Sequence, residues 1–226
     1  MKKILILMLS LMTIFFAGCG EEKISAEDKN VAPEKISAEN KNADAEKISE
    51  LSANGKKILV AYFSRADENY NVGNISEGNT KIVAEMIAEK IGADVFEIKP
   101  AKSYPQNYQE CTEVAKIERE ENARPEIVGR VENFSDYDVI FLGYPIWWGD
   151  LPMAVYTFLE QENFSGKIIA PFCTHEGSGL GGTEKFISEK TNAKLLPGLA
   201  IKGSVAQNDR EKTKFEVENW LQILKF

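Results

Sequence analysis

Residues 56–226 of this 226-residue sequence predict an α/β fold: a three-layer α/β/α sandwich on a five-stranded parallel sheet. Three observations carry that expectation. Short continuous apolar runs, such as Ile58 to Phe63 and Val139 to Gly143, lack the polar alternation of a half-exposed strand and suit strands covered on both faces. Segments with helical spacing of apolar residues lie between those runs. Strand and helix therefore alternate, and right-handed crossovers put helices on both sides of the sheet.

The elements follow in order. Ile58 to Phe63 is the first strand. After a polar loop, Asn79-Thr80 caps a helix whose apolar positions Ile82, Val83, Met86, Ile87 and Ile91 share one face, and Gly92 ends it. Val95 to Ile98 alternates as a strand and stops before Pro100. Asn107 to Asn122 suits a charged surface helix. Val139 to Gly143 is a buried strand, and Pro152 opens a helix over Met153 to Glu160. Lys167 to Phe172 is a strand and Thr183 to Lys190 a helix. Leu195 to Ile201 is the last strand, and Asp209 to Leu224 closes the chain as a helix.

The first 55 residues belong to no such pattern. Lys2 and Lys3 precede an apolar run from Ile4 to Phe16, followed by Ala17, Gly18 and Cys19. That is the layout of a secretory signal over residues 1–18, and the run is short for a bilayer span, which needs roughly 20 apolar residues. Ala17-Gly18-Cys19 resembles the lipobox of bacterial lipoproteins, which implies lipidation of Cys19 and a membrane-anchored, extracytoplasmic protein; Phe16 stands where Leu is usual. The other reading is a plain signal peptide with an incidental cysteine. Residues 19–55 form a linker in which Glu-Lys-Ile-Ser recurs every 12 residues, at 22, 34 and 46. That period turns each successive Ile by roughly 120°, so Ile24, Ile36 and Ile48 share no face. Such a chain stays solvated, and 36 residues of it span roughly 30–36 Å root-mean-square.

Composition narrows the function. A formal charge of −8 argues against a nucleic-acid partner. Three cysteines without a CxxC pair, and a single histidine, give no zinc spacing and little support for a Ser-His-Asp mechanism. Cys111 and Cys173 leave a disulfide open.

In open parallel sheets ligands bind beyond the carboxyl ends of the strands. Function is therefore expected in the loops after Phe63, Gly143 and Phe172. The first holds Ser64-Arg65 and Gly78-Asn79-Thr80, where amides at a helix N-terminus and nearby hydroxyls suit an anion. The second, Tyr144 to Gly149, places Trp147 and Trp148 side by side, a costly choice unless a flat group packs on them. The third, Thr174 to Gly182, is dense in glycine, which lets backbone amides approach a ligand edge.

These loops resemble the flavodoxin family. Ser64-Arg65 with Gly78-Asn79-Thr80 is similar to its phosphate-binding loop, with Ala66 to Glu77 inserted where one residue is usual. Pro145-Ile146-Trp147-Trp148-Gly149 resembles one branch closely. Thr174-His175-Glu176-Gly177-Ser178-Gly179 matches the same branch, as do Tyr104-Pro105 and Ala123-Arg124-Pro125-Glu126. The resemblance implies strand order 2-1-3-4-5 and bound FMN. It puts the phosphate on Ser64, Arg65, Gly78, Asn79 and Thr80, and the ring on Pro145, Ile146, Trp147, Trp148 and Gly149. The pyrimidine end falls to Thr174, His175, Gly177, Ser178 and Gly179. One indole is expected to face the flavin and the other to support it, with either in either role; His175 is read as an orienting group before a proton carrier.

The implied function is one-electron shuttling to a redox partner protein or small acceptor. Aromatic stacking and acidic surroundings would disfavour the reduced anion, and a backbone carbonyl of the Pro145–Gly149 loop would accept from the flavin N5–H. Two further readings stay open: an FMN-dependent NAD(P)H quinone-type reductase, and a flavin-free lipoprotein acting as a binding module. An NAD(P)H-dependent enzyme needs no separate dinucleotide fingerprint if nicotinamide stacks directly on flavin.

Overall fold

A computed structural model describes residues 55–226. The predicted signal, Cys19 and all of the linker but Gly55 lie outside the described residues. Strands β1 (Ile58–Tyr62), β4 (Asp94–Glu97), β5 (Val139–Pro145), β6 (Ile168–His175), β7 (Lys194–Leu195) and β8 (Leu199–Lys202) form one parallel sheet, and β2 (Asp67–Asn69) and β3 (Gly73–Ile75) a separate antiparallel hairpin. The helices are α1 (Asn79–Ile91), α2 (Tyr108–Glu120), α3 (Met153–Gln161), α4 (Thr183–Thr191), α5 (Gly203–Asn208) and α6 (Arg210–Ile223). The order across the sheet is β4-β1-β5-β6-β7, with β8 also on β6. Taking β7 and β8 as one position, this is the expected 2-1-3-4-5.

The apolar runs divide between two cores by strand periodicity. Leu59, Ala61 and Phe63 of the first run, with Ile140, Leu142 and Tyr144 of β5, face α3 and α4. Ile58, Val60 and Tyr62, with Val139 and Phe141, face α1 and α6. Both faces of the sheet are thus apolar, which is why the sequence shows runs and not alternation.

The structure corrects the sequence in several places. The last strand is not continuous over Leu195 to Ile201: β7 pairs with Ile168 and Ile169, β8 with Phe172 to His175, and Pro197-Gly198 breaks the ladder between them. Proline has no N–H to donate there, and the Pro197 carbonyl instead accepts from Trp220 Nε1 at 2.8 Å. Asn79-Thr80 does not cap α1. Gly78 is the N-cap without a side-chain bond, and Ser64 Oγ accepts the Lys81 N–H at 3.0 Å from outside the helix. The inserted segment 66–77 is the β2–β3 hairpin. Strand β6 runs on to His175, so the third loop is shorter than the sequence suggests. Helices α2 and α6 begin one residue later than expected, because Asn107 and Asp209 serve as their caps.

Candidate functional site

Strands β1, β5 and β6 end side by side, and their loops meet. The Phe63 N–H donates to the Gly143 carbonyl at 2.9 Å. Thr80 and Thr174 share a buried hydroxyl–hydroxyl bond of 2.7 Å, joining the first loop to the third. The Ile146 N–H donates to the Thr174 carbonyl at 2.9 Å, joining the second to the third. Thr174 is the point where all three are tied.

In the first loop, Gly78 lies so close to the chain that a Cβ there would fall 2.2 Å from Ser64 Oγ and 2.6 Å from the Arg65 carbonyl oxygen. Only glycine lets the loop pass beneath itself before α1 starts. The Arg65 guanidinium turns away from α1: it donates to the carbonyls of Glu68, Pro105 and Gln106, each at 2.6 Å. Its Nε–H is buried without a partner, and so is Asn79 Oδ1.

The second loop is a tight turn. Trp147 and Asp150 exchange both backbone bonds, at 2.9 and 3.0 Å, with Trp148 at φ +52° and Gly149 at φ +75° between them. Positive φ at a tryptophan is an unfavourable conformation, and it sends the two indoles in different directions. Trp147 is packed edge-on against Phe63 and Tyr104, with ring centroids 5.2 and 5.0 Å away. Trp148 remains 51% exposed, its Nε1–H donating to the Thr112 carbonyl at 3.0 Å. Trp147 is held by its ring neighbours, and Trp148 has the freer surface.

In the third loop, His175 Nδ1 accepts from the N–H groups of Gly177 and Gly179, at 2.9 and 3.1 Å. Those glycines have φ of +135° and +60°, which other residues rarely adopt. An accepting Nδ1 requires the neutral ring, and burial, the leading cause, holds the His175 pKa below its ordinary value. Glu176 accepts from the Ser204 N–H (2.6 Å), the Ser204 hydroxyl (3.1 Å) and Asn71 Nδ2 (3.1 Å).

These loops and α2 enclose a cleft of about 440 Å³. Of the residues expected from sequence, Arg65, Asn79, Pro145, Ile146, Trp147, Trp148, Thr174 and His175 line it. Ser64, Gly78, Thr80, Gly149, Gly177, Ser178 and Gly179 do not line it; most of them shape or tie the loops that do. Tyr70 of the hairpin, Glu176, and Tyr108, Cys111 and Thr112 of α2 also form its walls, beyond the residues expected from sequence. A usable signal existed in Tyr70 and Tyr108, two aromatics in otherwise polar segments.

Arg65 and Asn79 both line the cleft, and each keeps one buried polar atom without a partner, Nε–H and Oδ1. Cys111 and Cys173 are free and buried; burial raises both thiol pKa values, that of Cys173 to about 12, which makes them inert. Among the described residues no group of His, Cys, Asp and Glu is placed to hold a metal ion, and no helix is long and apolar enough to cross a membrane.

The family model for Flavodoxin matches residues 57–223. A search of curated proteins found no match. Among solved structures, a candidate flavoprotein from Bacteroides eggerthii is 29% identical with a TM-score of 0.59, over 75% of this chain and 99% of that one. A candidate flavoprotein from Bacteroides uniformis is 27% identical with a TM-score of 0.58, over 72% of this chain and 98% of that one. A flavoprotein from Lactobacillus acidophilus, solved in complex with FMN, shares the fold at 23% identity and a TM-score of 0.53, over 66% of this chain and 95% of that one. With nearly the whole described region matched by that family model, on a sheet of the expected order, this chain belongs to the flavodoxin family.

Proposed function

We propose that the protein binds FMN in this cleft and works as an electron carrier, held outside a bacterial membrane by a lipid on Cys19. The observation that carries the reading is the convergence of three loops on Thr174, beside an aromatic-walled cleft of about 440 Å³. That volume is within the range of small-ligand and cofactor sites. Bound FMN supplies the redox chemistry, exchanging electrons one or two at a time. The chain's own residues bind and orient it. The start of α1 offers the positive end of a helix to the phosphate, with Asn79 as its first residue. Trp148 presents an indole, Trp147 is fixed by Phe63 and Tyr104, and His175 holds the glycine amides of the third loop in place. Its consumed Nδ1 supports an orienting role over proton transfer.

The half-exposed Trp148 at the rim leaves a second reading, in which NAD(P)H reduces the flavin directly and a quinone-type acceptor reoxidises it. The two orphaned polar atoms weigh against a flavin-free module. Absorbance during FMN addition and stepwise reduction separates these. The carrier is expected to bind FMN and to be reduced in two resolvable one-electron steps, with NADPH and NADH leaving it oxidised. Rapid bleaching by either nucleotide favours the reductase, and a preparation that stays colourless with excess FMN removes both flavin readings.

A further inference from the structure

The 12 residues from Ala66 to Glu77 separate the two halves of the first loop, Ser64-Arg65 and Gly78-Asn79-Thr80. With only three residues in each strand, the β2–β3 hairpin is too small to hold itself together. It is fastened from outside at three places. Arg65 bonds the carbonyl of Glu68 and, with its other terminal nitrogen, those of Pro105 and Gln106. The Glu68 carboxylate accepts from Asn107 Nδ2 at 2.8 Å and from the Tyr108 N–H at 2.9 Å, at the N-terminus of α2, where negative charge is favoured. At the tip, Asn71 Nδ2 reaches Glu176 of the third loop.

These ties hold Tyr70 in place. Its ring is stacked on Tyr108, with centroids 6.0 Å apart and planes 29° from parallel, yet Tyr70 is 56% exposed. Both rings border the cleft. Tyr108 is one helical turn before Thr112, whose carbonyl takes the Trp148 Nε1–H, so the tyrosine pair and Trp148 lean on the same side of α2. Three large aromatics left in contact with water around one opening mark a binding surface. The third loop, Thr174 to Gly182, contains no Phe, Tyr or Trp that could serve instead.

Resting on the FMN reading, the geometry points to the β2–β3 hairpin as a clasp over the bound flavin, with Tyr70 as an aromatic contact residue. The Tyr70–Tyr108 pair is then the second aromatic wall for the ring, beside that of Trp148, and it comes from the insertion and α2. Closing the clasp slows FMN release.

The test is FMN titration of the full-length protein by flavin-fluorescence quenching, with the dissociation rate measured by exchange. Loss of one stacked ring predicts about 2- to 12-fold weaker binding for Tyr70→Ala, mostly as faster release. Tyr70→Phe keeps the ring and is expected to match the parent. Glu68→Gln, which loosens the clasp without touching its aromatic face, is expected to speed release in the same direction. Melting of the FMN-free Tyr70→Ala protein checks that the fold is intact. Unchanged affinity and release in Tyr70→Ala, with Trp148→Ala altering both, overturns the clasp and leaves FMN binding standing. Equal losses in Tyr70→Ala and Tyr70→Phe overturn the ring contact. A parent protein that takes up no FMN sinks the underlying reading itself.

Discussion

Two residues at the carboxyl end of β6 concentrate the site's polar chemistry. Thr174 joins the three loops by two different atoms, its carbonyl and its hydroxyl. Thr174→Val keeps the shape and the carbonyl bond but leaves the buried Thr80 hydroxyl unpaired, which costs about 1–3 kcal/mol. Thermal unfolding should show it as a loss of several degrees, since about 1 kcal/mol corresponds to 2–4 °C in a chain of this size. FMN affinity should fall with it. A variant as stable as the parent would mean the hydroxyl pair does not hold the loops. His175 gives a pH dependence whose sign follows from its depressed pKa. Above about pH 6.5, its ordinary value, the ring is neutral in both folded and unfolded chains and its two accepted bonds are fully available. As pH falls, the unfolded chain takes up the proton first, and below the folded pKa the Nδ1 acceptor is lost. The stability advantage of the parent over His175→Ala is therefore largest at pH 7–8 and shrinks through pH 6 and 5. It is worth about 0.5–1.5 kcal/mol per accepted bond. An advantage that is flat with pH, or grows on acidification, would contradict this assignment.

At the scale of elements, the start of α1 depends on one glycine. Gly78 has an ordinary negative φ, so backbone freedom does not explain it; the explanation is space. A Cβ would sit 2.6 and 2.8 Å from the backbone O and C of Arg65, atoms that cannot rotate away. Gly78→Ala must push the first loop off α1, at about 1–3 kcal/mol of overpacking. We expect a lower melting temperature together with at least tenfold weaker FMN binding. Unaltered binding would show that the first loop does not hold the ligand. The same comparison explains what was legible in the sequence. Strands β1, β5 and β6 were, because burial on both faces leaves continuous apolar runs, and Gly78 and the tryptophan pair stood out by residue type. The hairpin was not, since Asp67-Glu68-Asn69 and Gly73-Asn74-Ile75 carry almost no apolar alternation and are held by side chains remote in sequence. Helix α2 read as a solvated surface element because only Cys111 and Ala115 of its 13 residues are buried, while the rest of its inward side faces the cleft. The cleft wall formed by Tyr70, Tyr108 and Thr112 went unread for that reason. The broken last strand was visible in Pro197-Gly198, whose consequence the flanking apolar residues concealed.

Across the whole molecule, the described domain has opposite ends with different duties. The chain enters through Lys57, whose N–H donates to Asp138 at 2.9 Å just before β1 begins, at the amino edge of the sheet. The cleft opens at the carboxyl edge, past the ends of β1, β5 and β6. A tether pulling at Lys56 therefore pulls at the edge opposite the cleft. This separation makes the anchoring proposal testable apart from the flavin. Cys19→Ser is expected to move the protein from the membrane fraction to the soluble fraction and to abolish incorporation of labelled fatty acid. Its FMN affinity and melting temperature should stay as in the parent, because position 19 is remote in sequence from every residue that lines the cleft. Under the anchoring proposal, losing Cys19 removes the attachment point of the acyl groups that would hold the protein to the bilayer. A Cys19→Ser protein that stays with the membrane through carbonate and high-salt washing would show that something other than this cysteine holds it there.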